Sequence, residues 1–392
     1  MIRIREQLRL RLLSPLLLCT VLASCATAPS PPPPPPDLFN DTSFAPPATP
    51  LEPQRAFAVS EAMQRYVRID IAREARGKNP RRALANALYN KAGLQVEYDA
   101  AMTRTAAQTF DERRGNCLSL VLMTAALAKE MGLEVRYQAV LGDDAWSRSG
   151  DLYFVAGHVN LVLGRRMAQE SGIYDVDTEL LIDFLPPQDL TGQRTRTISE
   201  TTVLAMYLNN RAAETMASGE LDQAYWLARA AIVQDPAFSG AFNTLGIIQL
   251  RHGDLEPARR TLAYALERSP SNTVLLSNLA QALDELGRTD EALLMRRRLL
   301  ALQPEAPFHF FNLGQLAMKN ADYQEAARLF KREIARDPYY HEFHFWLAQA
   351  YARLGQLAQA GQQLQLAMDN STTRSDHGLY AAKLQRLRAA NR

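Results

Sequence analysis

The chain has 392 residues, 47% of them apolar, enough for two or three domains with sizeable cores. Its 44 basic and 42 acidic side chains nearly cancel, and no basic patch points to nucleic acid as a partner.

Arg3, Arg5, Arg9 and Arg11 give a basic start, and an apolar run from Leu12 to Leu22, broken by Ser14 and Pro15, follows. That run is too short for a stable membrane span and fits the core of an export signal. Leu22-Ala23-Ser24-Cys25 resembles a bacterial lipobox, which implies cleavage after residue 24 and lipid on Cys25. Ala26 stands where an aspartate would signal inner-membrane retention, so the resemblance implies an outer-membrane lipoprotein facing the periplasm. Pro31 to Pro36 favour a stiff polyproline helix. With the proline-rich stretch to about Pro53, they read as a spacer, giving a signal over 1–24 and a linker over 25–54. Without the signal the chain carries 40 basic and 41 acidic residues. Cys19 leaves with the signal and Cys25 is lipidated, so Cys117 has no intramolecular partner. A lone thiol in an oxidising compartment is a liability unless buried or used.

Residues 55–200 read as a mixed domain. Helical patterns cover Ser60–Arg76 and Arg81–Ala92. In Arg114-Gly115-Asn116-Cys117-Leu118-Ser119-Leu120 a glycine turn enters a long apolar helix that ends at Gly132. Asn116 can cap that helix, which puts Cys117 in its first turn, where free N–H groups and the helix dipole favour a thiolate. Strand-like runs follow at Glu134–Val140, Tyr153–Val155, His158–Leu163 and Leu180–Phe184. Helices followed by an antiparallel sheet make an α+β domain. His158 is the one histidine before residue 250, so a thiolate–imidazole pair in this region must be Cys117 with His158. Three aspartates, Asp175, Asp177 and Asp183, compete as the imidazole's partner. Asp183 is preferred, because a carboxylate within the apolar run Leu180–Phe184 needs a partner. The loop Gly142–Gly150, with Trp146, is expected to contact substrate or cover the core.

Gly115-Asn116-Cys117, Met131-Gly132-Leu133-Glu134-Val135-Arg136, Gly157-His158-Val159-Asn160 and Leu181-Ile182-Asp183-Phe184 together resemble the transglutaminase-like superfamily with its papain-like core. Val159 departs from that family's pattern, which has an aromatic after the histidine. The resemblance implies acyl transfer through a thioester. Cys117 would be the nucleophile, His158 the acid–base and Asp183 the orienting carboxylate, with no cofactor or metal. The Cys117 backbone N–H would supply one oxyanion donor, and the second is not legible.

The C-terminal half is periodic. Pro236, Pro270, Pro304 and Pro338 are spaced by 34 residues, as are Ala224, Ala258, Ala292, Ala326 and Ala360. Gly219, Gly253, Gly287 and Gly355 share the lattice, with Ala321 in the vacant slot. Gly246 and Gly314 alternate with Ala280 and Ala348, where paired helices must approach closely. The pattern, with Phe242-Asn243-Thr244-Leu245-Gly246 and Phe310-Phe311-Asn312-Leu313-Gly314, resembles the tetratricopeptide repeat. Five units are expected over 205–370, with a polar capping helix in 371–392. The predicted fold class is thus an α+β transglutaminase-like domain followed by an all-α repeat solenoid. Counting along the first helices puts Asn243, Ser277, Phe311 and Phe345 at one inward phase, and Ile247, Gln281, Gln315 and Gln349 at another. Of these, Asn243, Gln281, Phe311, Gln315, Phe345 and Gln349 are the expected contacts to a protein or peptide partner. His309, His341 and His344 lack the one-face spacing of a metal pair and read as surface or packing residues.

The first reading is a membrane-anchored cysteine acyl-transfer enzyme, a peptidase or amidase or else a transglutaminase, whose repeats recruit a protein. The alternatives are an inactive lipoprotein scaffold and a redox-sensing thiol.

Overall fold

Ser60 opens the first helical region, its hydroxyl accepting the Met63 N–H at 3.3 Å. Helix α1 (Glu61–Tyr66) runs through a π-helical turn at Val67–Ile71 into α2 (Ala72–Glu74), and α3 (Pro80–Tyr89) follows. The structure is a computed structural model that describes residues 33–47, 49–89, 93–141, 145–149, 152–166, 179–184 and 194–390. Strand β1 (Glu97–Tyr98) pairs in parallel with β2 (Arg114–Gly115), and α4 (Ala106–Glu112) lies between them behind a capping box of Thr105 and Gln108.

Helix α5 (Cys117–Glu130) is the centre of this domain. Leu118 and the run from Leu120 to Ala128 are buried, so the helix is apolar all round. Each fully buried leucine there contributes roughly 1.5–3 kcal/mol. Strand β3 (Leu133–Leu141) follows, then a separate hairpin of β4 (Ala145–Ser149) and β5 (Leu152–Ala156). Strands β6 (Val159–Arg166), β7 (Leu180–Ile182) and β8 (Arg194–Ile198) complete an antiparallel sheet in the order β7-β6-β3-β8, packed against α5. Two expectations change here. The stretch expected as a loop around Trp146 contains β4, and β8 closes the sheet although its alternation of arginine and threonine gives no apolar signal.

The repeats are five helical hairpins: α6 (Glu200–Ala217) with α7 (Leu221–Gln234), α8 (Ser239–His252) with α9 (Leu255–Arg268), α10 (Thr273–Glu285) with α11 (Thr289–Leu302), α12 (His309–Lys319) with α13 (Tyr323–Arg336), and α14 (His341–Arg353) with α15 (Leu357–Asp369). A last helix, α16 (Arg374–Ala390), packs on α15. A Cβ on Gly246 would meet Leu262 at 2.6 Å, which is the close helix approach expected from the lattice of small residues. Helix α6 serves both halves. Its Val203, Leu204 and Met206 join the core around α5, while Leu208, Ala212 and Met216 join that of the repeats.

The repeat core is interrupted once. Helix α11 buries only Ala292, leaves Leu293, Leu294, Leu300 and Leu302 between 42% and 62% exposed, and barely touches α12. Separate clusters lie on either side, one around Tyr225, Phe242 and Leu262, the next around Phe308, Phe311 and Phe330. The array is therefore two packed blocks, α6–α11 and α12–α16, joined by a loose seam.

Residues Pro36–Ala45, expected to be spacer, pack on the first block. Leu38 and Phe44 are buried in it, and Phe44 stacks on Tyr225 at 4.0 Å. Gln249 donates to the Leu38 carbonyl and Asn40 Oδ1, both at 2.9 Å. Tyr225 and Arg229 bond Asp41 at 2.6 and 2.8 Å. The apolar Leu38 and Phe44 gain from burial what a solvated polyproline segment would forgo.

The turns between paired helices need a left-handed residue, and the four glycines of the lattice supply it with φ from +73° to +93°. Ala321 takes the same role at φ +58° and bears the steric cost of its Cβ. Ala321→Gly should therefore raise stability by about 0.5–1 kcal/mol, read from denaturant unfolding followed on the repeats. A loss of stability would show that the turn is not strained.

Candidate functional site

Cys117 is the first residue of α5, and the residues before it fix its place. Asn116 Oδ1 accepts the Ser119 N–H at 2.9 Å and the Ser119 hydroxyl at 2.8 Å, while its Nδ2 donates to Thr103 Oγ1 at 2.8 Å. Ser119 Oγ in turn accepts the Arg104 N–H at 2.8 Å. The Arg104 guanidinium is buried, paired with Asp99 at 3.1 Å and Glu112 at 2.9 Å. Gly115 is required for this turn, because a Cβ there would lie 2.6 Å from that of Ser119.

His158 stands just before β6 and Asp183 just after β7, and the two neighbouring strands bring them together. His158 Nε2 lies 2.8 Å from Asp183 Oδ1, with the two side chains 10% and 2% exposed. Asn160 is two residues along the same face of the strand, and its Nδ2 donates to Asp183 Oδ2 at 2.8 Å. Both carboxylate oxygens are thus engaged. With Nε2 committed to Asp183, Nδ1 is the ring nitrogen left to face Cys117. Burial works to lower the imidazole pKa, but the Asp183 carboxylate and the neighbouring Cys117 outweigh it and push it up to about 9.

Tyr98 flanks the other side of Cys117. Its pairing with Gly115 aligns it with the start of α5, and its phenol approaches the Cys117 backbone N–H. Tyr98 keeps 41% of its surface open, and the burial of the remainder, with Cys117 and Asp99 nearby, pushes the phenol's pKa above its ordinary value.

Cys117 and Tyr98 line a cavity of about 2580 Å³ whose other wall is the inner face of the repeats. Asn243, Gln281 and Phe345 are among its lining residues, as are Ser277 and Ile247. Phe311 is not. It is fully buried with Phe308, Phe330 and Phe343, and Asn312 takes its place on the wall. The reason is local: α12 begins at His309 behind a left-handed Phe308, so the helical count inherited from the other units fails there. Gln315 and Gln349 are half-buried and lie outside the lining. His309 and His341 line the cavity, while His344 is buried against Gln363 and the Pro338 carbonyl. Cys25, Asp175, Asp177 and the side chain of Trp146 lie outside the described residues.

The sequence reading missed Tyr98, Asn160 and Thr103. Asn160 was within reach, since alternation puts residues 158 and 160 on one face of a strand. Tyr98 sits in a two-residue strand that carries no pattern.

Residues 69–165 match the transglutaminase-like superfamily, and residues 249–309 and 311–374 match tetratricopeptide repeats. The chain carries a transglutaminase-like domain followed by a tetratricopeptide-repeat array. The first match includes Cys117 and His158 and stops before Asp183, so Asp183 is tied to the site by geometry alone. A comparison with curated proteins gives no match. Among solved structures the chain is similar to TTC0263, a thermophilic repeat protein of Thermus thermophilus, at 20% identity over 46% of this chain and 99% of that one, with a TM-score of 0.29. It is also similar to YrrB, described as a repeat protein with an unusual peptide-binding site, at 21% identity over 46% and 92%, TM-score 0.25. MamA matches at 16% identity over 41% and 93%, TM-score 0.24.

The raised pKa of His158 has a stability consequence. Because the folded value of about 9 exceeds the ordinary 6.5, the stabilisation from the charged imidazole is complete below about pH 6.5 and is lost as pH rises through about 9. An NMR titration of the His158 ring should show its midpoint near 9, and Asp183→Asn should move it down. A midpoint that ignores the substitution would contradict the pairing.

Proposed function

We propose that this chain is a cysteine acyl-transfer enzyme acting on a protein or peptide held by the repeats. The observation that carries this reading is His158, with one ring nitrogen on Asp183 and the other left for Cys117, which itself lines a cavity shared with the repeat array. In this reading the Cys117 sulfur bonds to the acyl carbon of an amide, and the C–N bond breaks. His158, already carrying its proton at neutral pH, gives it to the departing amine, while Asp183 holds the ring and its positive charge until that transfer. Water then resolves the thioester and frees the acid; an amine in its place would give a crosslink. Hydrolysis is favoured because the cavity is open to solvent on a scale that admits water freely. The oxyanion of each tetrahedral intermediate would be met by the Cys117 backbone N–H and by the hydroxyl of Tyr98.

Location is part of the proposal. The lipobox-like Leu22-Ala23-Ser24-Cys25, behind a basic and then apolar start, supports lipidation of Cys25 and an outer-membrane position facing the periplasm.

Two measurements test the chemistry. Iodoacetamide should alkylate Cys117 readily at neutral pH, and His158→Ala should slow this by about 100-fold, within the range of general-base effects. Slow alkylation that does not respond to His158→Ala would leave a docking scaffold instead, and fast alkylation indifferent to Asp183→Ala would leave a redox thiol. Tyr98→Phe separates the oxyanion role from the rest. It should lower acyl-enzyme formation from p-nitrophenyl acetate by about 100-fold and leave alkylation unchanged, because alkylation develops no oxyanion. Equal loss in both reactions would assign Tyr98 to packing.

A further inference from the structure

The two ends of the repeat array return to the same short segment of the catalytic domain. At the start, the Thr103 N–H donates to Glu214 at 2.7 Å, and Asn210 of α6 donates to Thr103 Oγ1 at 3.3 Å. At the end, the Ala100 N–H donates to the Thr372 carbonyl at 2.9 Å, and Arg374 Nε donates to Glu97 at 3.1 Å. Residues 97–103 thus close the curved array into a ring, with its concave face inward and Cys117 and Tyr98 on the inner wall. We infer that the substrate is an extended polypeptide segment taken into this ring, and that the contact of residues 97–100 with 372–374 is a gate that shuts folded proteins out. The inference deepens the acyl-transfer reading and rests on Cys117 as the nucleophile.

Size supports it. A folded domain of 100 residues, with a radius of gyration of about 13 Å, fills several times the 2580 Å³ of the cavity, whereas an extended chain does not. The wall is suited to such a chain: Asn278 donates to Asn243 at 2.8 Å and Gln281 to Glu285 at 3.0 Å, which leaves the Asn243 amide N–H as a donor and the Asn278 and Gln281 amide oxygens as acceptors to match a peptide backbone.

The two closures differ in kind. The first is sealed by apolar burial, since Val203, Leu204 and Met206 of α6 lie in the core of the catalytic domain. The second is polar and wet. Arg374 and Glu97 are 68% and 55% exposed, and among the described residues the apolar clusters of the last two repeats include none from the transglutaminase-like domain. Exposed ion pairs are weak in water. The loose seam between α11 and α12 lies between these two ends, so the second block can swing while the first stays fixed.

The experiment uses the full chain with Cys19→Ser and Cys25→Ser, leaving Cys117 as the one thiol. Three maleimides are compared: N-ethylmaleimide, a maleimide on a flexible glycine–serine peptide of about 20 residues, and a maleimide attached directly to the surface of a folded carrier protein. The first two should react at similar rates. The carrier should react about 10- to 1000-fold more slowly, the factor set by a gate open in 0.1–10% of molecules. Arg374→Glu, which sets two like charges face to face, should speed the carrier alone, and Glu97→Arg combined with it should restore the slow rate. A carrier that reaches Cys117 as fast as the peptide overturns the inference, as does a carrier rate untouched by Arg374→Glu. If the acyl-transfer reading fails instead, N-ethylmaleimide itself is slow and does not respond to His158→Ala.

Discussion

The hydrogen bonds at the start of α5 tie Cys117 to both halves of the chain. Asn116 caps the helix through Ser119, and through Thr103 it reaches the first helix of the array, where Asn210 and Glu214 bond the same threonine. Removing one partner from a buried network leaves the others unsatisfied, which costs about 1–3 kcal/mol per group. The sulfur's position therefore depends on the seating of α6, and α6 is seated by apolar side chains in two cores at once. An array merely strung behind the transglutaminase-like domain would not need this arrangement.

The imidazole–carboxylate pair is the second constraint. Asp183 is 2% exposed, and a charge so buried is tolerated only when its lone pairs are met. His158 and Asn160 meet one oxygen each. The same contacts that satisfy the carboxylate hold the imidazole charged at neutral pH, against the pull of burial. A cationic ring beside a thiol is the electrostatic partner that a sulfur nucleophile requires. Replacement of such a pair by packed hydrocarbon is often neutral or stabilising, so folding alone does not call for it.

What was legible in the sequence was what local pattern encodes. The spacing of 34 residues, the cap at Asn116, the stop at Gly132 and the apolar run around Asp183 each reflect a contact made within one element or between neighbours. The site's remaining parts are set by distant pairings. Glu97 and Arg374 are 277 residues apart, and nothing near either announces the other. The packing of Leu38 and Phe44 on the repeats was hidden for the same reason, because a proline-rich composition masks two well-placed apolar side chains. Phe311 was misjudged where the repeat departs from its own rule, at the left-handed entry to α12.

That departure and the looseness of the array belong to one region. The fourth unit contains both non-glycine left-handed residues of the array, Phe308 and Ala321, and it follows the α11 face whose leucines stay exposed. A solenoid gains most of its rigidity from the interface each repeat makes with the next, so one poor interface divides it into two rigid bodies. Upstream of the seam, residues Pro36–Ala45 add hydrogen bonds across α7, α8 and α9 and stiffen the first block further. Downstream, the second block ends on an exposed ion pair and one backbone hydrogen bond. Stiffness is thus concentrated where the array supports Cys117 and withheld at the contact proposed to open, which is the distribution a gated ring requires.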